Sequence, residues 1–237
     1  MAVASRHPSF FDAARLAAFA MTDFFTFALT YLPYVAKGII ITAELTALSL
    51  LGSLVLGLLG ALAKGARQRP LRWLGNIYVE VIRGTPALLQ IFLIYFGLAS
   101  YGVRLDPFSA AVITLSILGG AYVTEIIRAG IEAVDRGQVE AATSLGMSPL
   151  QIMRRIVLPQ ASVMMLPPFT NYLISLIKDT SLALTISVPE IMYRSYDVAS
   201  QTFRSMDIYL VAGMIYLAIC IPLSRLARRL ELRRPPR

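Results

Sequence analysis

The chain has 237 residues, of which 57% are hydrophobic and only 15% charged, with a mean hydropathy of +0.66 and a formal net charge of +8. That is too apolar for an ordinary soluble domain, and a bilayer is its natural solvent. A single cysteine, Cys220, excludes an intramolecular disulfide; a single histidine, His7, excludes a His/Cys metal cluster and a histidine-based triad; and the lack of any Gly-Lys dipeptide excludes a Walker-type phosphate loop.

At the N-terminus, residues 24–36 are apolar but carry Pro33 and are too few to span, which predicts an interfacial helix. Asp12 and Asp23 stand where a signal peptide would have a basic lead and an unbroken apolar core, so no cleaved signal is expected. A spanning helix needs roughly 20 mostly apolar residues. Runs of about that length at 45–63, 84–103, 107–124, 156–177 and 208–224 predict five spans. An odd number puts the termini on opposite sides. With the C-terminus inside, only Arg6, Arg15, Lys37, Arg104, Lys178, Arg194 and Arg204 of the 22 Lys and Arg residues fall outside, so the expected topology is N-out and C-in. The positive charge is then the inner rim of a membrane protein facing anionic headgroups, and nucleic acid is not an expected partner.

In the first span, Ser49, Ser53, Gly57, Ala61 and Gly65 recur every four residues, a stripe along which another helix can approach closely. Glu44 lies near the outer end of the same span, where it is either a functional carboxylate or one that snorkels to the interface. Ahead of the second span, Gly84 can break a helix and Pro86 suits the first turn of the next. Glu80 and Arg83, three residues apart on one face, read as a surface ion pair at the inner interface.

The polar stretch from Glu125 to Arg155 carries more helix grammar than a tether needs. Residues 140–145 form a strong helix, and Gly146 supplies the left-handed position that ends it. The chain restarts at once: Ser148 is an N-cap, Pro149 fits the first helical position, Gln151 closes a capping box, and Met147 with Ile152 forms a hydrophobic staple. The second helix carries Arg154 and Arg155 and runs through Pro159 into the fourth span. Such a corner suits either a soluble partner or the membrane surface.

The fourth span is the most polar. Asn171, Ser175, Lys178 and Asp179 recur at helical spacing and can face a central cavity, with Lys178 meeting a carboxylate and Asp179 an ammonium. Alternatively Lys178 and Asp179 cap the helix end or pair with each other.

Glu140, Ala141, Ala142, Gly146, Ile156, Leu158 and Pro159 match the spacing of the EAA loop of ABC importer permeases without a gap. The stretches "YVEVIRGTPALLQ", "GGAYVTEIIRAGIEAVDRGQVEAATSLG", "LPQA" and "LPPFTNYLISLIKDTSLA", with Glu190, are similar to the polar amino acid branch of that family, the histidine, glutamine, arginine and opine permeases. The resemblance covers residues 35–225. It implies an all-α membrane protein of five transmembrane helices with cytoplasmic coupling helices, in a bacterial inner membrane. It also implies an N-terminal segment over 1–34 and a basic cytoplasmic tail over 226–237.

By the same resemblance Glu140, Ala141, Ala142, Gly146, Met147, Arg154 and Arg155 couple the permease to its ATPase, while Asn171, Ser175, Lys178 and Asp179 flank the substrate pathway as a gate. The implied partners are two ATP-binding subunits, a second permease copy or paralogue, and an external substrate-binding protein. ATP and Mg belong to the ATPase, with no cofactor or enzyme chemistry on this chain. The competing class is an ion-coupled secondary transporter, which calls for internal repeats and deep carboxylates; there is no repeat, and Glu44 is the lone deep carboxylate.

Overall fold

The computed structural model describes the backbone of residues 10–232 and the side chains of residues 21–227 and Arg229. Arg6, His7, Arg233, Arg234 and Arg237 lie outside the described residues. The fold is helical throughout, with no strand among the described residues.

Helix α1 (Phe10–Ala36) starts earlier than the apolar run predicts and contains Pro33. It does not lie by itself on an interface. Phe27 and Val35 are buried with Ile191, Val198 and Ile208 in a core shared with later helices. Helix α2 (Gly38–Lys64) follows after one residue. The small-residue stripe is confirmed at Ser49, Ser53 and Gly57, then moves to Gly60, because the helix drifts from a strict four-residue repeat; Ala61 is half-buried and Gly65 exposed. The opposite side of α2 is apolar and bare, with Leu51, Val55, Leu58, Leu59 and Leu62 each more than half exposed, as a lipid-facing surface requires. Glu44 is exposed.

The break expected at Gly84 and Pro86 ahead of the second apolar segment is present, and it is sharp. It separates α3 (Arg69–Gly84) from the run that forms the segment itself, made of α4 (Ala87–Phe92), a wider turn of π type and α5 (Leu98–Ser100), with a bend of 106° between the two arms. Thr85 and Pro86 are extended at the bend. The Gln90 amide holds it by donating to Ile82 O at 2.7 Å, Thr85 O at 3.2 Å and Thr85 Oγ1 at 2.9 Å, which satisfies carbonyls that the break would orphan.

Helix α6 (Pro107–Glu132) begins at Asp106, whose carboxylate caps Ser109 N at 3.0 Å, and packs along α2. The approach is close because the contact is lined with glycine. A methyl at Gly57 would strike Val123, and one at Gly120 would strike Leu56 and Tyr78. The corner helices α7 (Arg136–Ser144) and α8 (Pro149–Ile152) follow, and a π-type turn (Met153–Val157) joins α8 to α9 (Leu158–Asp179) without a break.

A tight 3-10 turn (Thr180–Ile186) leads to α10 (Ile191–Thr202), and α11 (Ser205–Leu232) completes the chain. Glu190 caps α10, accepting from Tyr193 N at 2.6 Å and Met192 N at 2.8 Å, with the Tyr216 hydroxyl donating at 3.0 Å. Of the described helices, α2, α6 and residues 205–227 of α11 are each long and apolar enough to cross a membrane, and the bent pair makes a fourth candidate. Helix α9 is less apolar because one side carries Gln160, Asn171, Ser175 and Asp179.

Candidate functional site

Two features converge on α9: a corner at one end and a polar trough along its length. At the corner, Gly146 adopts φ 75°, the left-handed conformation read from the sequence. Ser148 N donates to Gln151 Oε1 at 2.9 Å and Gln151 N to Ser148 Oγ at 3.4 Å, which completes the capping box. Met147 and Ile152 pack with Val134, Ala142, Val157 and Ala161 in a small core of their own. That core makes the corner rigid.

Of the residues expected at the corner surface, Glu140, Ala141, Gly146, Arg154 and Arg155 are exposed and Met147 half-buried. Ala142 is 3% exposed and belongs to the corner's core with Ile152. Sequence reasoning missed Leu145 and Leu150, which flank Gly146 and are 83% and 76% exposed. Two bare leucines at a polar turn are a signal in themselves, since soluble surfaces rarely leave such a pair unpartnered.

The trough runs between α6 and α9. Nearer the 3-10 turn, Asn171, Ser175 and Asp179 line a cavity of about 560 Å³ with Gly119, Tyr122 and Tyr172. Those three are brought together as their spacing predicts. Lys178 is not among the lining residues; it is exposed and within electrostatic reach of Cys220 on α11. It forms no close ion pair with Asp179 among the described residues, though it stands in the last turn of α9 and acts on Asp179 electrostatically. Tyr172 is buried and donates to Ser53 Oγ at 2.7 Å, which ties α9 to the stripe of α2.

A second cavity of about 690 Å³, nearer the corner, is lined by Arg83, Tyr122, Glu125, Gly130, Gln160 and Pro168 among others. Glu125 is held by Lys64 at 2.6 Å and by Arg128 at 3.3 Å. The expected Glu80–Arg83 pair is absent among the described residues. Arg83 instead lies over the Tyr122 ring, 5.2 Å from its centroid, because α3 crosses α6 and turns this side chain toward it. No group of three or more potential metal ligands occurs among the described residues.

A helical bundle with a rigid, apolar-tipped corner continuous with a polar-faced helix is the architecture of a transporter's membrane subunit. The family of binding-protein-dependent transport system inner membrane components matches residues 53–234, and the chain belongs to it. It is 42% identical over 205 residues to an L-cystine transport system permease protein of Bacillus subtilis, covering 86% of this chain and 88% of that one. Over 208 residues it is 38% identical to a glutamine transport system permease protein of Escherichia coli, covering 85% and 93%. A crystal structure of an amino acid ABC transporter with histidines superposes with a TM-score of 0.84 at 38% identity, covering 87% of this chain and 96% of that one. The MetNI methionine ABC transporter in an inward-facing conformation shares the fold, with a TM-score of 0.62 at 16% identity.

Proposed function

We propose that the chain is the permease subunit of an ATP-driven importer of polar amino acids or related compounds such as opines. Its relatives carry names of cystine, arginine and glutamine permeases, and each is matched over most of its length. The observation that carries the coupling mechanism is the corner: Leu145 and Leu150 stand bare around Gly146, and α8 passes without interruption into α9. A partner that grips those leucines moves the helix whose polar face lines the trough.

On this reading the partner is an ATP-binding subunit, one for each of two permease copies or paralogues, and ATP and Mg are bound there. Glu140, Ala141, Gly146, Met147, Arg154 and Arg155 form the docking surface, with Ala142 beneath it. Asn171, Ser175 and Asp179 line the outer half of the path, with Lys178 at its margin, and a binding protein delivers substrate from outside. Helix α9 is the fourth crossing and α11 the fifth, which gives five spans with the N-terminus outside and the C-terminus inside. The permease unit covers residues 35–225, with the N-terminal segment 1–34 packed against it through Phe27 and a basic tail over 226–237.

The test is reconstitution of the chain with its ATPase and candidate binding proteins, reading ATP hydrolysis and uptake against a panel of amino acids and opines. Gly146→Asp should abolish stimulated hydrolysis while the chain still inserts. Uptake by the purified chain alone, driven by an ion gradient, would sink the reading.

A further inference from the structure

The charges along the trough are not equally compensated. Glu125 has two cationic partners. Arg83, on the same cavity, has no carboxylate within ion-pair distance among the described residues, and Asp179 on the next one has no cation within that distance, with Lys178 acting on it only from farther off. Tyr122, beneath its guanidinium, is about 22 Å along α6 from Pro107 by the rise of an α-helix, two residues short of the end of the apolar run 107–124.

The guanidinium is exposed and lines the inner cavity beside Tyr122 and Glu125, so it is open to that cavity. The side of α3 that bears it is polar along its whole length: Arg69, Arg72, Asn76, Glu80 and Arg83 recur at helical spacing. The two cavities share Tyr122, Ile126 and Pro168, so Arg83 stands at their junction.

We propose that Arg83, steadied over the Tyr122 ring, is the contact for the carboxylate of the molecule in transit, at the neck between the outer and inner cavities. This deepens the importer reading and rests on it. A planar guanidinium offers two parallel N–H donors to a carboxylate, which fixes orientation as well as charge. Asp179 has the charge for an ammonium, but it lies about 16 Å along α9 from Pro168 at the junction by the helical rise. One small zwitterion cannot touch both. The two groups are therefore successive contacts, ammonium first and carboxylate second, and the path takes a ligand that carries both charges.

The test uses the permease with its ATPase in vesicles, without binding protein. Binding of L-arginine, L-glutamine and L-cystine is compared with that of their methyl esters, which keep the ammonium and lose the carboxylate charge. Wild type should bind at least one acid about tenfold or more tighter than its ester, the size of one charge-assisted hydrogen bond. Arg83→Gln should bring that ratio close to one, and Arg83→Lys, which keeps the charge but not the paired donors, should retain only part of it. Because the readout is a ratio within each variant, a general loss of folding does not mimic it. An acid-to-ester ratio of one in wild type overturns the proposal, as does a ratio unchanged in Arg83→Gln. So does dissociation of the permease pair in Arg83→Gln with the ratio intact, since Arg83 would then be an interface group. If binding-protein-driven uptake of these acids works while the membrane complex binds none of them, the station is refuted and the importer reading stands. If uptake fails for every compound, the importer reading itself falls.

Discussion

Glu190 is fully buried at the start of α10, and burial pushes its carboxyl up to about 7, although two backbone N–H groups and the Tyr216 hydroxyl favour the ionised form. An unfolded chain titrates this group near its ordinary 4.5, so the folded state holds the proton more tightly. Its contribution to stability is full below the unfolded value and is lost as pH rises through about 7, a change of roughly 3 kcal/mol at most. The thermal midpoint of the purified protein should fall between pH 5 and pH 8, and the fall should shrink in Glu190→Gln; equal slopes for the two proteins would refute this. At Gly119 the constraint is steric. An added methyl would land on the Tyr172 and Ser53 hydroxyls, whose hydrogen bond joins α9 to α2. Gly119→Ala should cost about 2–4 kcal/mol in denaturant unfolding, whereas Gly97→Ala, with open space around the new methyl, should be nearly neutral.

Among the elements, the corner was the most legible in the sequence. Its glycine, cap, proline and staple are local signals acting over three or four residues, and each is realised. Ser148→Ala and Gln151→Ala should each loosen it by about 1 kcal/mol, visible as faster amide exchange over residues 147–153 with the long helices unaffected. Helix α3 was read less well, for a physical reason. Gly84 and Pro86 announce a break, but its 106° angle is set by Gln90 reaching back to Ile82 and by the α3–α6 contact, and the first of these already acts over eight residues. Arg83 was assigned to Glu80 because a partner three residues away is visible in the sequence, while Tyr122 is brought alongside only by the fold. The same limit applies to Lys178, whose spacing matches Asn171 and Ser175 but whose side chain sits off the trough.

Over the whole molecule, apolar runs located α2, α6, α9 and α11 and left open which faces meet lipid and which meet water. Those faces can be separated by labelling. With Cys220 replaced by serine no native thiol remains. Ser175→Cys and Asn171→Cys should then react with a membrane-impermeant thiol reagent, and Leu58→Cys, on the bare apolar side of α2, should not. Reaction at Leu58→Cys alone would invert the assignment of faces.

The π-type turn at Met153–Val157 lies where the corner becomes α9. Such a turn holds one residue more than an α turn needs, so the corner and the trough-lining face are phased as though that residue were missing. Rewinding it as ordinary α-helix would rotate one relative to the other by about 100° and lengthen the rod by about 1.5 Å. The chain thus contains a screw thread of one-residue pitch between the surface a partner grips and the face that lines the path. Removing one residue there should keep the two ends in phase and preserve insertion, while adding one should turn Asn171 and Ser175 out of the trough and stop uptake.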